Sequence, residues 1–427
     1  MGTPPPGLRG ERQGRLNDAS WQADMFGFLR ALAASYGDIV GFDLGCSPCI
    51  LVNGAQHVRE LFFEHEACLR KPEFVKDSNR GHWGDGLTTM EGSTWRVHRL
   101  ALRPSFKPGP VAARLPIVAE CTADMLDGWA PTSELDLLKE LRILTARIAA
   151  RMVLDADVAG LGTSAGRSGV LPFEQAYGED YASVPGGDPT SPLVMVRPRA
   201  PRCMDAVIRI IDERIETGEV RGDVLSELVH ARLPDGRGLT REEIVGEVMQ
   251  MLYAGHLTIP CSLVDFWRAV AVNDLGLTLA AEADRLCAAG DPDPAALSES
   301  SCLAALKESL RLHPPAPILY REVEIAFELG GFECARDVAV WVSPELLHKD
   351  PRYFSEPSRF LAERFRKGRP SVPQSAYLPF GAGPRACIGS HLALLQMALI
   401  GLLTARRFLL TPIHERAQIF RALRRGR

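Results

Sequence analysis

The 427-residue sequence lacks any run of about 18 uninterrupted apolar residues, the length that a membrane-crossing helix requires. Its most apolar stretch, Leu392 to Leu410, is broken by Gln396, Arg406 and Arg407. The opening MGTPPPGLRGERQGRLND has no apolar core of the kind a signal peptide carries, so the chain is expected to be cytoplasmic with reduced thiols. Charge of one sign is also missing: 49 basic residues face 53 acidic ones, a net charge of −4, which excludes a dedicated nucleic-acid binder. Ten cysteines are too few for a disulfide scaffold. Cys46 and Cys49 have the spacing of a metal-binding pair, but no second pair accompanies them, and they read as packing in a β-hairpin. Lysine is scarce, seven against 42 arginines, a bias expected of GC-rich coding that says nothing about chemistry. No internal repeat is visible.

What remains is an ordinary globular composition, 46% apolar and 24% charged. At about 150 residues per domain the length alone suggests two or three domains. Most of the chain reads as helix, with candidates at 115–129, 133–154, 202–217, 240–273, 276–289, 301–312 and 388–408. Strand patterns occur at Ile39 to Val52 and Val323 to Val342. The fold class is therefore mainly α with a small β component. Three Pro/Gly/Ser-rich or polar stretches, Asp77 to Ser93, Ala159 to Gly169 and Ser183 to Pro201, read as connections, the last long enough to serve as a lid.

Thr240 and Glu243 fit a capping box that opens a long helix. Its apolar face, Ile244, Val245, Val248, Met249, Leu252 and Tyr253, runs on through AGHLTIP at 254–260. Pro260 has no N–H and its ring crowds the His256 carbonyl, so the helix is expected to kink or widen near Gly255 to Thr258, or to break into two helices there. Further on, Glu308 and Arg311 lie on one helix face, either as a surface pair or as a buried pair with further partners, of which Arg364 is a candidate.

The segment FGAGPRACIG at 380–389 admits two readings. Gly381, Gly383 and Ala386 satisfy the spacing of a dinucleotide-binding turn after a candidate strand AYLPF. That reading fails for want of an acidic residue: none occurs between Gly368 and His414. In the second reading the glycines fold the backbone tightly around Cys387, whose thiolate is favoured by nearby N–H groups, by the start of helix 388–408 and by Arg385. A single cysteine so placed suits a heme iron with one axial thiolate.

Phe380, Gly383, Arg385, Cys387 and Gly389 match the F-x-x-G-x-R-x-C-x-G loop of the cytochrome P-450 family, a coincidence expected about once in 10⁶–10⁷ windows. Glu308 and Arg311 match its E-x-x-R helix. Phe360, Arg364 and Phe365 match its F-x-P-x-R-F segment, with Ala362 in place of proline. AGHLTIP resembles its oxygen-side helix, and Trp95 with Arg99 its W-x-x-x-R helix. The resemblance spans roughly residues 20–425. It implies the cytochrome P-450 fold, with heme b (iron protoporphyrin IX) between the central helix and the cysteine-loop helix, in one domain over 21–427 preceded by a flexible segment over 1–20.

The resemblance also implies roles. Cys387 is the axial ligand to the heme iron. Trp95, Arg99, Arg321 and Arg385 pair with the propionates, Phe380 packs near the sulfur, and Gly381 and Gly389 shape the loop. Ala254 and Gly255 line the oxygen groove and Thr258 delivers protons. Glu308, Arg311 and Arg364 form a structural network. Family members usually carry Asp or Glu directly before the threonine, where this chain has Leu257, and commonly Thr or Ser after it, where it has Ile259. Proton supply then falls to water, substrate groups or His256, although at about 100° per residue His256 should point away from Thr258. Substrate contacts are expected from Asp77 to Glu91, Met152 to Cys203 and Pro315 to Leu319, with Met249, Leu252, Ala316, Pro317 and Ile318 making an apolar pocket. His98 is expected at the solvent or the propionate edge. The closing RALRRGR reads as a solvated basic tail, short of the family's usual C-terminal hairpin.

The activity implied is that of a soluble bacterial-type monooxygenase, with O₂, a largely apolar small molecule of specialised metabolism, and a separate electron donor, either ferredoxin with its reductase or a flavoprotein. Neither nucleic acid nor membrane is an expected partner. The alternatives are an atypical oxidation (coupling, desaturation or rearrangement) and a heme-binding docking protein without oxygenase chemistry.

Overall fold

In the three strands Ile39–Leu44, Ser47–Val52 and Ala339–Val342, alternate side chains enter two different apolar clusters. Val40, Phe42, Cys49, Leu51 and Trp341 pack on one face with Phe28, Leu29 and Leu32 from helix Met25–Tyr36. Ile39, Ile50, Val52, Val340 and Val342 pack on the other with Val58, Leu61 and Phe62. Side chains alternate across a strand, so a sheet covered on both faces needs apolar residues at nearly every position, which explains the continuous runs CILV and AVWV. Each large side chain buried here contributes about 1.5–3 kcal/mol.

A computed structural model describes residues 3–156, 201–288, 290–369, 372–414 and 418–425. The expected connections Ala159 to Gly169 and Ser183 to Ala200, and most of Met152 to Cys203, lie outside the described residues. The chain divides into two compact units. The first comprises Met1–Lys76, Leu310–Phe360 and Arg369–Ile388. It holds a six-stranded sheet in the order Gly7–Leu8, Ile39–Leu44, Ser47–Val52, Ala339–Val342, Leu319–Val323, Leu69–Arg70. Cys46 lies at the turn of the hairpin Ile39–Leu44/Ser47–Val52 and Cys49 inside its core, as the hairpin reading expected. Near the N-terminus, Gly7–Leu8 pairs with Gly41 and Phe42, and helix Glu11–Ala23 follows. Buried Asn17 ties the two together by donating to the carbonyls of Leu8 at 3.1 Å and Asp43 at 2.7 Å.

The second unit, Asp77–Ser309, Leu361–Gly368 and Gly389–Arg427, is mostly helical. Helix Arg241–Val272 packs along Leu137–Leu154, and Pro108–Asp127 along Ser390–Arg407. Two expectations are corrected here. The stretch 133–154 opens as strand Thr132–Asp136, and its helix begins at Leu137, where Asp136 caps it by accepting from the Lys139 N–H at 3.0 Å. The basic tail is no tail: Ile419–Arg424 forms the middle strand between Phe408–Pro412 and Thr132–Asp136, both antiparallel to it.

The cysteine loop and the central helix

In the first unit, AYLPF is not a strand. Leu378 enters the apolar cluster under the sheet, and its N–H donates to His348 Nε2 at 2.7 Å. The chain then turns three times. Gly381 N–H donates to Leu378 O at 3.1 Å, Ala386 N–H to Gly383 O at 3.1 Å, and Cys387 N–H to Phe380 O at 2.8 Å. Gly381 and Gly383 hold φ of +74° and +69°, the left-handed region that favours glycine. A Cβ at Gly383 would lie 2.3 Å from the Phe62 carbonyl oxygen, so only glycine fits there. Arg385 donates from Nε to Glu66 Oε1 at 3.2 Å, and Arg321 lies over the Phe62 ring at 5.2 Å while its Nη1 donates to Tyr320 O at 2.7 Å.

This cradle presents Cys387 as an exposed thiol. Six other described cysteines are buried, and burial pushes the thiols of Cys49 and Cys334 up to about 12 and that of Cys302 well above its ordinary value. Those groups are inert. Cys387 is exposed and its N–H closes the loop onto Phe380 O, and an exposed cysteine on a loop so closed fits an axial thiolate to heme iron.

Arg311 and Glu308 are both fully buried, so the surface-pair alternative falls. In the first unit Arg311 donates to the carbonyls of His348 and Pro357 at 2.7 Å each and of Arg359 at 3.0 Å, and its guanidinium lies 5.1 Å from the Phe354 ring centroid. His348 Nδ1 in turn donates to Arg311 O at 3.1 Å. One neutral tautomer of His348 thus connects Arg311 to Leu378, and burial pulls its pKa down to about 3. In the second unit Glu308 Oε1 accepts from Leu361 N at 2.8 Å and Arg364 Nε at 3.3 Å. The sequence reading missed His348, whose partners lie 37 and 30 residues away.

The central helix is one uninterrupted α-helix over Arg241–Val272, capped by the expected Thr240–Glu243 box, and neither widens nor breaks at Pro260. The helix Leu137–Leu154 packed along it holds the run straight: the Thr145 hydroxyl, which donates to Leu141 O at 2.9 Å, lies 3.4 Å from the His256 carbonyl that would have bonded residue 260. Ser262 Oγ donates to the Thr258 carbonyl at 2.9 Å. Ala254 and Thr258, one turn apart, are exposed, whereas His256 and Leu257 are buried. His256 Nδ1 donates to Leu252 O at 2.8 Å, and burial lowers its pKa to about 4, so it is a neutral interior group rather than a proton donor on the Thr258 side. Gly255 faces Ala149, where an added Cβ would come within 3.2 Å; its smallness lets the two helices approach.

Of the apolar-pocket residues, Met249 is 0% and Leu252 4% exposed, and Ile318 belongs to the sheet core. Pro317 is buried with its carbonyl accepting from Ser343 Oγ at 3.0 Å; Ala316 is exposed. Trp95 is buried and Arg99 half-buried on helix Gly92–Leu102. His98 is 1% exposed, contrary to the expectation of a solvated or propionate-edge group. Its ring nitrogens lie 2.9 Å from Glu247 Oε1 and 3.3 Å from Glu243 Oε1. Burial lowers its pKa, but the two carboxylates outweigh that and raise it above 6.5.

The family model for cytochrome P-450 matches residues 4–156 and 274–422. The chain belongs to the cytochrome P-450 family. It is similar to two proteins of Streptomyces melanosporofaciens. Cyclooctat-9-en-7-ol 5-monooxygenase is 29% identical over 393 residues, covering 90% of this chain and 85% of the relative. Cyclooctatin synthase is 30% identical over 402 residues with the same coverages. The retinoic acid-bound structure of cyanobacterial CYP120A1 shares the fold, with a TM-score of 0.79 at 21% identity over 99% of each chain. The chain is thus a P-450 monooxygenase, and membership implies a heme-thiolate iron, O₂ and an electron donor for a small-molecule substrate. No helix among the described residues is long and apolar enough to cross a membrane.

Proposed function

We propose that this P-450 oxidises a largely apolar intermediate of specialised metabolism, with heme b as cofactor, Cys387 as its axial ligand, and electrons from a separate ferredoxin system or flavoprotein in the cytoplasm. The observation that carries this reading is the exposed Cys387 thiol on a loop pinned by Gly383, Phe380 and Leu378. The Streptomyces relatives support the substrate class.

When bound, the heme supplies oxygen activation. The protein's share is assigned as follows. Trp95, Arg99, Arg321 and Arg385 hold the propionates, an assignment supported by charge-assisted hydrogen bonding to carboxylates. Phe380, Gly381 and Gly389 shape the ligand loop. Glu308, Arg311 and Arg364 fix the surrounding chain without touching the reacting atoms. On the central helix Ala254 and Thr258 make the reactive face, Gly255 sets the helix spacing, and the Thr258 hydroxyl orients the protic groups. Substrate contacts are assigned, on the family resemblance, to Asp77 to Glu91 and to Met249, Leu252, Ala316, Pro317 and Ile318. Residues 21–427 act as one working domain around one cofactor.

Leu257 supports a second reading. Buried and without a titratable group, it cannot relay protons where the family usually has an acid, and that departure from the family pattern supports an atypical oxidation such as desaturation or coupling, which takes the same two protons and two electrons per O₂ as hydroxylation but ends with both oxygens in water. Turnover of apolar terpenoid alcohols with surrogate ferredoxin and reductase under ¹⁸O₂ tests both. A product carrying ¹⁸O supports monooxygenation, an oxidised product without ¹⁸O supports the second reading, and electron consumption yielding only peroxide across such substrates contradicts the substrate class.

A further inference from the structure

Glycine inside a helix costs about 1 kcal/mol relative to alanine, yet the central helix carries Gly246 in its second turn. A Cβ there would lie 1.9 Å from the Asp85 carbonyl oxygen. The fit is reciprocal: a Cβ on Gly86 would meet the Gln250 carboxamide at 2.8 Å. Between these contacts runs a polar lock. Gln250, 4% exposed, accepts at Oε1 from Thr88 N at 2.8 Å and Thr88 Oγ1 at 2.7 Å, and donates from Nε2 to Gly84 O at 3.1 Å. Glu247, 1% exposed, accepts from Leu87 N at 3.3 Å with Oε2, while its Oε1 accepts from His98. Within the loop, Gly86 N donates to Thr89 Oγ1 at 3.0 Å and Thr89 Oγ1 to Asp85 Oδ1 at 3.1 Å, so residues 84–89 form a braced hook. One carboxylate thereby ties the hook, the Trp95/Arg99 helix and the central helix together.

We propose that Gly246, Glu247 and Gln250 clamp residues 84–89 onto the central helix as a preset wall of the substrate site, which makes them positioning residues that set how large a ligand the site accepts. The clamp stands on the contacts above; only its role as a substrate wall rests on the monooxygenase reading.

The test uses the purified holoenzyme. Gly246→Ala removes no hydrogen bond and would strengthen a bare helix, so a loss of order at 84–89 reports the clamp itself. Gln250→Leu removes the polar lock, and Thr88→Val, on the exposed side, guards against a variant that fails to fold. Amide exchange of a peptide spanning 84–90 is expected to speed up about tenfold in Gly246→Ala and Gln250→Leu, the factor that one or two net hydrogen bonds represent. Imidazole and the bulky azole clotrimazole are then titrated by their Soret shifts. The clotrimazole dissociation constant is expected to change about tenfold and that of imidazole less than about twofold. Unchanged exchange in Gly246→Ala overturns the clamp. Faster exchange with both azoles unmoved, or both moved alike, overturns the wall. A wild type that gives no imidazole shift sinks the heme reading, and exchange still decides the clamp.

Discussion

The cysteine loop and the central helix differ in how tightly the chain constrains them. In the loop every family position is present, and the structure shows why several allow no substitute: two glycines at positive φ, one with the Phe62 carbonyl where a Cβ would be, and a carbonyl–amide closure from Phe380 to Cys387. In the central helix the positions around Thr258 depart from the family pattern at Leu257 and Ile259, and the helix lies outside the two segments that the family model matches. A ligand loop is fixed by backbone geometry, which tolerates no variation. A helix face is fixed only by which side chains it offers, and those vary with the reaction.

The strongest way to break this contrast is to put a side chain into the loop. Gly383→Val meets both the Phe62 oxygen and a positive φ; it is expected to abolish thiolate-ligated heme in the purified protein, read by absorbance. Removing the support beneath it comes next. Arg311→Leu leaves the buried His348 carbonyl and the part-buried Pro357 and Arg359 carbonyls without their guanidinium donor, and is expected to lower stability by about 2–3 kcal/mol in urea titration.

The buried histidines give a pH signature. His348 and His256 have folded pKa values near 3 and 4 against an ordinary 6.5, so the unfolded chain takes up protons that the folded chain refuses. Their stability contribution is full above pH 6.5 and falls as pH drops toward 4, by about 1.4 kcal/mol per unit for each histidine. His348→Gln should flatten that limb in urea titrations. His98 has the opposite sign: its folded pKa is raised, so its contribution is full below 6.5 and is lost as pH rises through the folded value.

The mildest change sharpens the helix side. Leu257→Glu adds the missing acid beside Thr258 and is expected to raise the ratio of oxygenated product to peroxide several-fold. No change in that ratio contradicts the part assigned to Leu257.

What the sequence revealed follows the same division. The strands were legible because residues such as Val340, Trp341 and Val342 are apolar on both faces, and the loop because backbone demands dictate residue type. The uninterrupted helix was not, because Pro260 signals a break while the helix that packs along it, Leu137–Leu154, is distant in sequence. His348, Gln250 and the burial of His98 were hidden for the same reason: each depends on partners distant in sequence. The N-terminal helix escaped notice because its polar residues Gln13, Asn17 and Asp18 leave little apolar periodicity to read.

The central claim is that Cys387 is a thiolate ligand to heme iron. The reduced, CO-treated protein should show the strongly red-shifted Soret band of thiolate-ligated heme, absent in Cys387→Ala. Heme-supplied wild type without that band, or a Cys387→Ala variant that keeps it, would contradict the account.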